Sequence, residues 1–119
     1  MLIAITATGQ NLNSQVDARF GRAKFIIIYN SEDKSYQTHD NNLNLNAAQG
    51  AGIQTAQNVV NLGANILITG NCGPKAFRVL DAGNVKIYVS TSLSINDAIK
   101  SYEENKLNQL TNPNVEGHW

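Results

Sequence analysis

This chain predicts an α/β fold on a mixed, five-stranded sheet, and three features of the sequence carry the prediction. Its segments run in the order β-β-β-α-β-α-β-α. Phe25-Ile26-Ile27-Ile28-Tyr29 is an unbroken apolar run of the length of a central strand, covered on both faces. From Ile66 to Val89 the pattern goes strand, helix, strand, which makes a right-handed parallel crossover, whereas the hairpin before it adds an antiparallel strand.

The elements follow in order. Leu2 to Thr6 is rich in isoleucine and stops at a polar stretch holding Gly9, Asn11 and Asn13, which reads as a buried first strand and a loop. After the second strand, the turn-forming patch Asn30-Ser31-Glu32-Asp33-Lys34 leads to the more polar Tyr36 to His39, an edge strand closing a hairpin. The asparagine-rich stretch 41–46 reads as a solvated loop. Ile53, Ala56 and Val60 then fall at helical spacing, with Gly63 as the stop. Ile66 to Thr69 is a strand, and Pro74 suits the first position of a helix that carries Ala76, Phe77 and Leu80 on one face and ends at Gly83. Val85 to Val89 alternates as a half-buried strand, and Ser94-Ile95-Asn96-Asp97 has the form of a capping box opening a third helix. Residues 1–106 thus read as one domain. From Leu107 to Trp119 no period is evident, and 107–119 reads as a C-terminal tail free to move.

Composition narrows the classes of function. Of 119 residues 42% are hydrophobic, enough for a single core. The formal net charge is zero, with neither a basic stripe nor an acidic run, so nucleic acid is not an expected partner. No apolar run approaches the roughly 18 to 20 residues that span a bilayer, and Met1 leads straight into a strand. A cytoplasmic protein with no membrane partner is expected. A single Cys excludes an internal disulfide, and one thiol cannot build a four-cysteine metal site within a chain. Neither a Gly-x-Ser-x-Gly elbow nor a phosphate-binding loop occurs, and the first strand carries no acid for two-metal hydrolysis.

The residues suited to chemistry collect at predicted helix starts. Asn71-Cys72-Gly73-Pro74-Lys75 joins a strand to a helix, where unpaired N–H groups favour an anion and would favour a Cys72 thiolate. The same Cys72 reads equally well as a small buried residue in a tight turn. Gly50 and Gly52 leave the N–H groups of the first helix uncovered, either for a ligand or for close packing on the first strand. Arg19-Phe20-Gly21-Arg22 could clamp an anion or an acidic partner, or Arg19 could simply pair with Asp17 while Phe20 enters the core. His39 and His118 are the only histidines, and neither stands at a metal-motif spacing from Cys72.

Four motifs in order, Asp17-Ala18-Arg19-Phe20-Gly21-Arg22-Ala23, Gly50-Ala51-Gly52-Ile53-Gln54-Thr55-Ala56, Thr69-Gly70-Asn71-Cys72-Gly73-Pro74-Lys75-Ala76 and Gly117-His118-Trp119, resemble the dinitrogenase iron-molybdenum cofactor biosynthesis family, the NifX-like group also found as the C-terminal part of NifB. The resemblance implies a ribonuclease H-like three-layer fold without nuclease carboxylates. It also implies a non-catalytic carrier of an iron-sulfur or iron-molybdenum cluster or its precursor, exchanging it with cluster donor or acceptor proteins as a monomer or homodimer. On that reading Arg19, Arg22, Gly50, Gly52, Asn71, Gly73 and Lys75 hold an anionic cluster, and Cys72, with His118 or His39, ligates metal. Gln49 stands where many relatives of this kind carry His, which removes one imidazole. The competing reading is a small regulatory or interaction module that binds an anion or a protein partner without metal.

Overall fold

The isoleucine-rich opening of the chain becomes the middle of the sheet. In the computed structural model, which describes residues 1–41, 50–90 and 93–114, β1 (Leu2–Ala7) is flanked by β2 (Phe25–Asn30) and β4 (Ile66–Thr69). β3 (Tyr36–Asp40) lies outside β2, while β5 (Lys86–Val89) and β6 (Asn108–Leu110) extend the other side, giving the order β3-β2-β1-β4-β5-β6. β1, β4 and β5 run parallel, with Ile3 opposite Ile66 and Leu67 opposite Ile87. β2 is antiparallel to both β1 and β3, and β6 is antiparallel to β5. The sheet is therefore mixed, as expected, but among the described residues it has six strands and not five.

The sixth strand escaped the sequence pattern for a physical reason. Asn108 and Gln109 are exposed and only Leu110 is partly buried, so no alternation marks a strand that is held by backbone pairing to β5. It opens the segment from Leu107 that was expected to be a tail without structure. That segment begins as a sheet edge.

Helices α1 (Ala51–Asn61) and α2 (Pro74–Ala82) pack on one face and α3 (Ile95–Glu103) on the other. Strand alternation makes both faces apolar: Ala4, Ile26, Ile28, Leu67 and Ile87 turn toward α1 and α2, and Ile3, Ile5, Ile27, Ile66 and Ile68 toward α3. This is why the central strands read as unbroken apolar runs. Each fully buried side chain of this size stabilises the fold by about 1.5–3 kcal/mol relative to exposure. α3 starts as its sequence predicts, with the Ser94 hydroxyl accepting the Asp97 N–H at 3.2 Å. Among the described residues no helix is long and apolar enough to cross a membrane.

Candidate functional site

The carboxyl ends of the parallel strands, where an open α/β sheet collects ligands, are tied together by polar groups from distant parts of the chain. The chain leaves β1, loops, and returns so that the Asp17 N–H donates to the Thr6 carbonyl at 2.8 Å. The buried Thr6 hydroxyl lies 2.8 Å from the Asp17 carbonyl and 2.8 Å from the Thr69 hydroxyl of β4. Residues 18–20 then run beside the end of β4: the Asn71 N–H donates to Ala18 O at 2.7 Å, the Phe20 N–H donates to Asn71 O at 3.3 Å, and Arg19 and Asn71 form a parallel bridge. Two motifs separated by some fifty positions thus become neighbouring backbone.

Gly70 is what permits this approach. A Cβ built on it would stand 2.6 Å from Ala18 Cα and 2.9 Å from Ala18 O, so no side chain fits. Gly50 serves a different purpose, with a left-handed φ of 76° at the N-cap of α1 and open space where a Cβ would be. The start of α1 was expected either to receive a ligand or to pack closely. Gly50 is exposed and Gly52 is buried.

Arg19 precedes, and Arg22 ends, a 3-10 turn, Phe20–Arg22, on which α1 packs. Phe20 is core, and Arg19 Nε lies 3.6 Å from the buried Asp17 carboxylate, whose Oδ1 also accepts the Arg19 N–H at 3.0 Å. The pairing of Arg19 with Asp17 is thus present, with Phe20 in the core, and 52% of the Arg19 side-chain surface stays open. Arg22 is half-buried and Lys75 exposed. α1 and α2, which pack together, begin without a side-chain cap and without an acid in the first turn. α2 places Lys75 there instead, where a cation opposes the helix dipole. The uncapped N–H groups of α2, with Arg19 bridged to the loop ahead of them and Lys75 in the first turn, suit an anion.

Cys72 departs from the expectation of a stabilised thiolate. It is 0% exposed in the apolar cluster with Phe20, Leu67, Ala76 and Leu80, and burial pushes its pKa up to about 12. The side chain turns into the core, where desolvation disfavours the thiolate, and its polar contact among the described residues is the Gly73 carbonyl, 3.7 Å from Sγ. Nor is His39 brought to it: on β3, His39 opposes Ile26 and lines a shallow cavity of about 280 Å³ with Asn58, Asn61 and Leu62 from the far end of α1. Among the described residues no three His, Cys, Asp or Glu side chains gather to hold a metal ion. His118 and Gln49, with Gly117 and Trp119, lie outside the described residues.

Two asparagines that the sequence did not single out matter here. Asn41, read as part of a solvated loop, is 2% exposed, and its Nδ2 donates to Ala23 O at 2.9 Å and lies 3.2 Å from the Thr55 hydroxyl, joining the end of β3, the 3-10 turn and α1. Asn114 reaches the Cys72 loop. Its Oδ1 accepts the Cys72 N–H at 2.8 Å, its Nδ2 donates to Gly70 O at 3.0 Å and its own N–H donates to Cys72 O at 3.2 Å. Only the asparagine after Pro113 hinted at a turn there.

A three-layer α/β protein whose arginine motif is bridged to the uncapped start of a helix at the ends of its parallel strands is the class that these features define. The chain belongs to the dinitrogenase iron-molybdenum cofactor family, whose sequence pattern matches residues 1–105. It is 34% identical over 101 residues to an uncharacterized protein of Methanocaldococcus jannaschii, covering 82% of this chain and 85% of that one. The apo form of the orange protein from Desulfovibrio gigas superposes with a TM-score of 0.93 at 33% identity over 96% of both chains. A Thermotoga protein assigned provisionally to NifB gives 0.85 at 34% identity over 98% of both.

Proposed function

We propose that this protein is a non-catalytic carrier that holds an anionic iron-sulfur or iron-molybdenum cluster, or a precursor of one, and exchanges it with donor or acceptor proteins. The observation that carries the reading is the parallel bridge of Arg19 to Asn71, which sets the arginine motif against the uncapped start of α2. Family membership supports this class of cargo, and the apo form of the similar orange protein supports a protein that is loaded and unloaded. In this reading Arg19, Arg22, Lys75 and the N–H groups after Gly50 and Gly73 hold the cargo by charge, with each exposed helix-end contact contributing about 0.3–1 kcal/mol. Asn71 and Gly52 shape the crevice. Cys72, with His118, offers few covalent ligands, and Cys72 offers its sulfur only from an opened loop; His39, on β3, lies apart from it. Weak, sparse holding suits transfer better than permanent electron-transfer duty, which normally takes four thiolates.

The sheet is, in this reading, a ribonuclease H-like one that carries instead of cutting. The hydroxyls of Thr6 and Thr69 at the strand ends, where a hydrolase of that kind would need acids, support it. A metal-free module binding a simple anion is the second reading, favoured by the buried, neutral Cys72 thiol.

Oxygen-free reconstitution with iron and sulfide, with and without molybdate, followed by desalting, separates the two. A carrier retains metal and visible absorbance, and Arg22→Ala loses affinity more at low salt than at high salt, since exposed charges are screened over about 8–10 Å at ordinary ionic strength. Protein that emerges colourless and metal-free at every salt concentration is the module.

A further inference from the structure

The Cys72 loop has an occupant from its own chain. β6 fixes the chain at the sheet edge, and the exposed residues Thr111 to Asn114 then lead back to the start of α2, where Asn114 makes three hydrogen bonds to Gly70 and Cys72. The carboxamide oxygen of Asn114 takes the Cys72 N–H just ahead of the uncapped helix, the position that an oxygen or sulfur of an anionic ligand would use.

We propose that residues 111–114 are a strap, with Asn114 as its latch, that keeps the 70–73 loop closed, and that the loop opens by release of this strap without unfolding of the domain. The segment is suited to local release. All four of its residues are exposed, whereas the strands beneath it are buried on both faces. Asn114 is a positioning residue: it acts on Cys72 and on the loop amides, and ligand entry removes it. A binding partner at this loop must displace the latch, so apparent affinity is lowered by the fraction of closed protein. The use of the strap rests on the carrier reading, but its existence does not.

Cys72 is the only cysteine, so alkylation of the metal-free protein by iodoacetamide reports loop opening directly. The strap predicts a slow reaction whose rate barely changes with low urea, because local opening exposes little surface. Asn114→Ala should raise that rate about tenfold, the scale expected for losing two side-chain hydrogen bonds, while leaving the urea dependence shallow. Alkylation that follows global unfolding, with the full urea dependence of the unfolding transition, overturns the proposal, and the unaltered protein alone suffices to show it should Asn114→Ala fold poorly. A shallow urea dependence with no acceleration in Asn114→Ala removes Asn114 as the latch. Failure to retain metal in reconstitution, with the alkylation behaviour as predicted, would strike the carrier reading and leave the strap standing.

Discussion

Cys72 shows most clearly how two local forces compete at one residue. The start of α2 favours a thiolate and burial in the apolar cluster disfavours it, and burial wins because the side chain points inward. A thiol whose folded pKa rises from 9.0 to about 12 keeps its proton longer in the folded chain than in the unfolded one. Its contribution to stability is therefore complete below the unfolded pKa and is lost as pH climbs through the window from 9.0 to about 12, by up to ~1.4 kcal/mol per pH unit. Cys72→Ala, about 1 kcal/mol less stable near neutral pH through lost packing, should close on the parent above about pH 9. Burial raises Tyr29 and Tyr102 as well, but equally in both proteins, so the difference isolates the thiol. Urea unfolding of both at neutral and alkaline pH measures it. A stability gap that stays constant with pH would put the thiol in contact with water.

Among the elements, the loop joining β4 to α2 depends on a backbone contact that no side-chain pattern records. Because a Cβ on Gly70 would meet Ala18 Cα at 2.6 Å, Gly70→Ala must push the 17–20 segment away, at a cost of about 1–3 kcal/mol. Thermal unfolding should show that loss, and the Asn71 amide should lose protection from hydrogen exchange as its bond to Ala18 O weakens. An unchanged melting temperature and unchanged protection would mean that the two segments are not coupled. The contact also marks what was legible. Isoleucine runs, helical spacing and the stops at Gly63 and Gly83 disclosed the core elements, because burial writes itself into side-chain type. β6, Asn41 and Asn114 were not legible, since Asn108–Leu110 is joined by backbone pairing and the asparagines bind backbone groups and a hydroxyl far away in sequence. The motifs gave no sign that the Arg19 and Asn71 segments become neighbours, or that the Cys72 side chain faces the core.

For the whole molecule, the proposed function requires one end of the sheet to hold an anion between the arginine turn and two helix starts, with the rest of the fold serving to place them. The core on both faces fixes β1 and β4, their ends fix the Asp17 and Asn71 segments, and these carry Arg19 and the start of α2. The most direct test is an amide NMR map of the protein before and after oxygen-free loading with iron and sulfide, in the presence of molybdate. The account predicts shifted amides concentrated in 19–22, 50–54 and 70–75, with β2, β3 and α3 nearly unmoved. Retained metal whose largest shifts centre on His39 and the far end of α1, or a spectrum that no loading condition changes, would contradict it.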